Sequence, residues 1–127
     1  MILLDENIVE DQRLLLRSWR ISIRQIGLDV ARSGIQDDEL IPLLHSLKAP
    51  TLFTRDLRFY GRDEPHAGYC IVALAVGQGE VASYVRRFLK HSEFDTNAKR
   101  MGKIVFLTHN GLRVRQLRQA GEMPVAW

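Results

Sequence analysis

Two carboxylates in this chain each close a short apolar run. Asp5 ends Leu3-Leu4-Asp5-Glu6-Asn7, and Asp56 ends Leu52-Phe53-Thr54-Arg55-Asp56. Apolar runs of about four residues bounded by polar ones read as buried strands of an α/β sheet. Ligands of open α/β sheets bind just beyond the carboxyl ends of the strands. Asp5 and Asp56 are therefore expected at one edge of one sheet. Paired carboxylates there are suited to holding Mg²⁺ or Mn²⁺ for phosphoryl chemistry.

The rest of the chain supplies elements for such a sheet. Met1–Leu4 reads as a strand and Ile8–Arg20 as a helix, with Ile8, Leu15, Leu16 and Trp19 near one face. Ile21–Gln25 alternates like a half-exposed strand, and residues 28–36 read as a loop. Asp37-Asp38-Glu39 opens a helix carrying Leu40, Ile41, Leu43, Leu44 and Leu47. Pro42 requires that helix to begin close to Asp38, because proline fits only near a first turn. Ala49-Pro50 closes it before the strand Thr51–Thr54. Residues 55–68 are polar and read as a loop, and Tyr69–Val76 reads as a central strand. Val81, Tyr84, Val85, Phe88 and Leu89 follow helical spacing. Residues 91–102 are polar, with room for a short helical turn. Ile104–Leu107 is a last apolar strand. Asn110-Gly111 signals a tight turn, and Leu112 and Val114 then alternate with Arg113 and Arg115 as in an edge strand guarded by arginines. Strands alternating with helices predict an α/β fold: a three-layer αβα sandwich around a mostly parallel sheet, in one domain over residues 1–127.

Bulk properties narrow the class. The 127 residues are 46% hydrophobic and 26% charged, the balance of a soluble globular protein. There is no apolar stretch near 18 residues, so no membrane span is expected. Asp5 and Glu6 with no basic leader do not read as a secretory signal. The single cysteine, Cys70, lies in an apolar run and reads as an inert core residue of a cytoplasmic protein. The net charge of +3 hides an asymmetry. Residues 1–85 hold 9 Lys/Arg and 12 Asp/Glu, whereas residues 86–127 hold 9 and 3. A basic third suits a polyanion, though it equally suits a solvated basic face.

The order Leu-Asp-Glu-Asn, an Asp-rich helix start and then Thr-Arg-Asp resembles the PIN-like nuclease superfamily over about residues 1–76. It looks nearest to the short PIN-like proteins often encoded beside antitoxins. The resemblance implies a metal-dependent endoribonuclease, a hydrolase of RNA, as the toxin of a toxin–antitoxin pair and commonly a homodimer. Asp5, Asp56 and one of Asp38 or Glu39 match the family's acids; Asp38 is taken as the second. Asp5, Asp38 and Asp56 would hold Mg²⁺ or Mn²⁺, and Arg55, Arg58, Arg86 and Arg87 would contact RNA. One position departs from the pattern. The family continues Thr-x-Asp-x-Asp-Phe, whereas this chain reads Thr54-Arg55-Asp56-Leu57-Arg58-Phe59. Arg58 replaces an acid with a cation. It would lie on the same face as Asp56 in an extended segment and could pair with Asp56 or Asp5.

Plainer readings stand beside these. Asp5 could be a turn residue, Asp37 the plainer helix cap, and Asp38 a cap as well. Thr54 reads first as a β-branched strand residue and second as a group that orients a carboxylate. His45, His66, His91 and His109 show no zinc spacing; His66 could approach the acidic edge. Three functions remain open: a metal-dependent ribonuclease; a non-catalytic PIN-like module that binds RNA or a partner, with Arg58 neutralising the pocket; and a scaffold whose acids are caps.

Overall fold

The computed structural model describes residues 1–127. Seven strands form one sheet: β1 (Ile2–Leu4), β2 (Arg24–Gln25), β3 (Thr51–Thr54), β4 (Cys70–Ala75), β5 (Lys103–Thr108), β6 (Gly111–Gln116) and β7 (Met123–Val125). Their spatial order is β2-β1-β3-β4-β5-β6-β7. Strands β1 to β5 run parallel, and β6 and β7 join antiparallel. The helices are α1 (Glu10–Ser18), α2 (Asp37–Ser46), α3 (Arg58–Arg62), α4 (Val81–Lys90) and α5 (Asn97–Arg100), with a 3₁₀ turn at Gln78–Glu80.

The pleat sends successive side chains to opposite faces, so the apolar runs fill two cores. Leu4, Phe53, Val72 and Val105 pack with Leu16 of α1 and Val85 and Phe88 of α4. Leu3, Leu52, Ile71 and Ile104 pack with Leu40 and Leu44 of α2 and Phe59 of α3. These are the expected three layers, with β4 buried along nearly its whole length. No helix is long and apolar enough to cross a membrane.

Five features differ from the sequence reading. Helix α1 begins at Glu10 and β2 shrinks to two residues. Residues 58–62, read as loop, form α3. The hairpin turn falls on His109-Asn110, with Thr108 and Gly111 paired across it. Strand β7 covers β6, so the Arg113/Arg115 strand is not the sheet edge. Helix α2 begins at Asp37 with Pro42 inside it. The proline cannot donate the i→i−4 bond, so the helix gives up one link where the Asp38 carbonyl would accept.

Candidate functional site

The strand order reverses at β1/β3. From β1 the chain moves to β2 on one side, then returns to β3 on the other. Helices α1 and α2 flank opposite faces there, which leaves a crevice beyond the strand ends, the usual ligand position in open α/β sheets. A cleft of about 370 Å³ occupies this place, lined by Asp5, Glu6, Asp37, Arg55, Asp56 and Arg58 among others.

Asp5 and Asp56 meet through Thr54. The ladder between β1 and β3 continues as the Asp5 N–H donates to the Phe53 carbonyl (3.0 Å). The buried Thr54 hydroxyl donates to Asp5 Oδ2 (2.8 Å) and accepts the Asp56 N–H (3.0 Å). Thr54 thus orients a carboxylate, the role its sequence position suggested only second. Burial holds the Asp5 carboxyl above the usual carboxylate pKa. Hydrogen bonds from Thr54 and the Glu6 backbone oppose that shift, and the charges of Glu6 and Asp56 add to it.

The turn after β1 is braced from β2. Buried Gln25 donates its side-chain amide to the carbonyls of Asp5 (3.1 Å) and Ile8 (2.9 Å). Glu6 accepts from Ser33 Oγ (3.1 Å) and the Gly34 N–H (3.0 Å). It thereby ties the 27–36 loop to the strand end. Gly27 makes room for this. Its φ is +85°, and a Cβ there would lie 3.0 Å from Glu6 Oε2.

The other half of the cleft is an alternating chain of acids and arginines. Arg58 grips Asp56 with Nε on Oδ1 (2.9 Å) and Nη2 on Oδ2 (2.6 Å), while its own N–H donates to Oδ1 (3.1 Å). The same guanidinium lies 3.5 Å from Asp37 Oδ2, which Arg62 also reaches at 3.2 Å. Arg62 extends to Asp63 at 3.8 Å. Arg58 and Arg62 are four apart on α3, so both present to one side. The Arg58 hydrogen bond holds Asp56 below the usual carboxylate range, and Asp56 in turn raises the Arg58 pKa. Asp63 is pushed up by burial, and its Oδ2 has no partner.

Several expected residues fall elsewhere. Asp38 is exposed and does not line the cleft; Asp37, read as the plainer cap, does. A legible signal separates the two. Asp37 precedes the buried Leu40 and Leu44 by three and seven residues, so it shares their inward face. Arg58 pairs with Asp56 as expected, but from the first turn of α3 rather than from an extended segment. Arg55 is exposed at the cleft and donates Nε to the Val76 carbonyl (3.1 Å). Arg86 and Arg87 lie well along α4, on the helix layer rather than at the acidic edge. Arg86 is half-buried, its guanidinium 3.6 Å over the Trp19 ring; Arg87 is exposed, 4.4 Å over Trp127. Arg113 is exposed, but Arg115 is held by the Tyr60 and Asp63 carbonyls. His66 sits before β4 at the opposite end of the sheet, edge-on to His45 and stacked on Tyr69. Glu80 and His109, which the spacing did not single out, pair at 3.0 Å beyond the ends of β4 and β5.

The donors do not suit a divalent ion as they stand. No three His, Cys, Asp or Glu side chains come close enough to share one. Both Asp56 oxygens are taken by Arg58 and Asp37 is shared by two arginines, leaving Asp5 and Glu6 as the cleft acids without a cation. Comparison with protein-family models, with curated proteins and with solved structures gives no match to the chain.

Proposed function

We propose that this chain is a non-catalytic PIN-like module that binds RNA, with an acidic cleft neutralised by its own arginine rather than by a divalent ion. One observation carries the reading: Arg58 bonds both oxygens of Asp56 and reaches Asp37. Clustered carboxylates repel one another and need a cation. Here a guanidinium fixed two residues along the chain supplies it in fork geometry. The basic residues 86–127 supply the charge for a phosphate backbone. Arg86 and Arg87, stacked on Trp19 and Trp127, add flat cationic surfaces on which bases stack. The test is binding of a single-stranded oligoribonucleotide in EDTA and in Mn²⁺. The expected affinity is the same in both, falls steeply with salt, and leaves the RNA uncut. Binding that requires Mn²⁺, or RNA cut by the wild type, would overturn the reading.

A second reading is favoured by the convergence of Asp5 and Asp56 through Thr54 at the switch point, together with the exposure of Arg58, whose side chain is 68% accessible. Exposed ion pairs are weak. In this reading Arg58 swings out, and Asp5, Asp37 and Asp56 become the acids of a metal-dependent endoribonuclease. The protein is then a cytoplasmic toxin-type homodimer whose partner is an antitoxin protein. Mn²⁺-dependent RNA cleavage by the wild type, lost in Asp5→Asn, separates it from the first.

A further inference from the structure

The carboxyl ends of β4 and β5 lie on the same sheet edge as the cleft, and they carry a pair that the cleft does not use. Glu80 closes the 3₁₀ turn after β4, and His109 opens the turn between β5 and β6. His109 Nε2 faces both Glu80 oxygens, at 3.0 and 3.1 Å, and the Gly77 N–H donates to Glu80 Oε1 at 2.8 Å. These bonds hold the Glu80 carboxyl below the usual carboxylate range. An ionised carboxylate only accepts, so Nε2 carries the hydrogen. The pair therefore fixes the tautomer and the ring. The His109 side chain is 51% exposed, and its Nδ1 has no partner in the chain.

Neighbours extend the pair on both sides. Toward the cleft, Arg55 donates Nε to the Val76 carbonyl (3.1 Å). That carbonyl belongs to the same peptide unit whose N–H holds Glu80. Arg55 is exposed, and its two terminal nitrogens bond nothing in the chain. On the other side, Tyr84 of α4 lies edge-on to the His109 ring at 5.4 Å and 5.8 Å from the Trp127 ring. Trp127 is pinned by its Nε1 bond to the Thr108 carbonyl (2.7 Å), and Arg87 lies 4.4 Å over it. Arg87, Trp127, Tyr84, His109 and Glu80 thus form one strip of successive neighbours, and a single peptide unit joins the strip to Arg55.

We infer that this strip seats a single strand of RNA, with His109 as a phosphate contact that forms on protonation. The inference rests on the RNA-binding reading above and assigns the residues at its centre. Neutral His109 offers only a lone pair at Nδ1, which a phosphate oxygen cannot use. Protonation turns Nδ1 into a donor and the ring into a cation, which Glu80 stabilises from the other nitrogen. Glu80 does not face the strand as a free acid, because Gly77 and His109 occupy its oxygens. Arg55 and Arg87 are permanently charged and stand on either side, so a backbone crossing His109 meets a cation at each end. Tyr84 and Trp127 supply rings for bases, which must be unpaired to reach them. The titratable groups around the His109 ring are Glu80 and Tyr84, with Arg87 and His91 beyond them against Trp127. Of these, only His91 also changes charge near neutral pH.

The full chain in EDTA is titrated calorimetrically with a single-stranded oligoribonucleotide, from about pH 5 to about pH 8 at constant ionic strength. The wild type should bind about three- to tenfold more tightly at the acid end, as expected for one exposed charged contact. His109→Gln keeps a polar side chain at the turn and cannot be protonated. It should lose most of this pH dependence, and its salt slope at the acid end should be shallower by about one. Glu80→Gln removes the anion behind the ring, so the half-point of the pH profile should move to lower pH. A merely structural role for Glu80 would not move it. No RNA binding by the wild type overturns the RNA-binding reading and this inference with it. Wild-type binding that ignores pH, or a His109→Gln profile like that of the wild type, overturns the inference alone. So does a half-point that Glu80→Gln leaves in place.

Discussion

Replacing Thr54 by valine should cost stability in a pH-dependent way, because its hydroxyl joins the Asp5 carboxylate to the backbone N–H of Asp56. The substitution nearly keeps the shape of a fully buried β3 side chain and removes one oxygen. That oxygen donates to Asp5 at 2.8 Å and accepts from the Asp56 N–H at 3.0 Å. Each buried group left without its partner costs about 1–3 kcal/mol. Both groups here are part-buried, so the sum should be roughly 2–4 kcal/mol. At about 4 °C per kcal/mol, the midpoint should fall by roughly 8–16 °C. The sign of the pH effect follows from Asp5. Its folded pKa lies above the usual value because of burial. Between the two values the folded state holds more protons than the unfolded chain, so stability falls as pH rises through that window. The Thr54 hydrogen bond holds this rise in check. Without it the folded pKa climbs further, and each added unit costs about 1.4 kcal/mol above the window. Urea unfolding at about pH 4 and about pH 7 should show the larger penalty at neutral pH, where Asp5 must ionise. Thr54→Ser should recover most of it. An equal penalty at both pH values would refute the reasoning.

Gly27→Ala should destabilise by about 1–2 kcal/mol, since an L-residue resists the φ of +85° and the new Cβ would crowd Glu6; a neutral urea midpoint would contradict the brace described. Cys70 should not react with a thiol reagent in the folded protein, because it is fully buried and its pKa is pushed up to about 12; labelling should follow unfolding, and rapid native labelling would refute its placement. Arg86→Ala should cost about 0.5–1 kcal/mol by uncovering Trp19. The same change should alter tryptophan fluorescence and make the salt dependence of RNA binding shallower; unchanged fluorescence and salt slope would count against it.

The strand ends were legible because a buried strand writes its boundary as an apolar-to-acidic change. Asp5 and Asp56 stand at such changes, and the parallel sheet delivers both to one crevice. The choice between Asp37 and Asp38 needed the phase of α2, because adjacent residues point about 100° apart around a helix. Reading back from Leu40 and Leu44 settles it, whereas treating the acidic triplet as a cap does not. Helix α3 was hidden because Arg58-Phe59-Tyr60-Gly61-Arg62 is too short for a period and contains glycine. Strand β7 was hidden because Met123-Pro124-Val125 is brief and carries a proline, which only an edge strand tolerates. The stacking of Arg86 on Trp19 joins α4 to α1 across many residues, and no local pattern reports it.

The central claim is that Arg58 takes the place of a metal. Calorimetric titration of the wild type and Arg58→Asp with Mn²⁺ tests it directly. The wild type should bind Mn²⁺ weakly, because the ion and the guanidinium compete for the same Asp56 oxygens. Arg58→Asp removes the competitor and adds a ligand, so its affinity should rise by more than about tenfold. Tight binding by the wild type, or no gain in Arg58→Asp, would contradict the account.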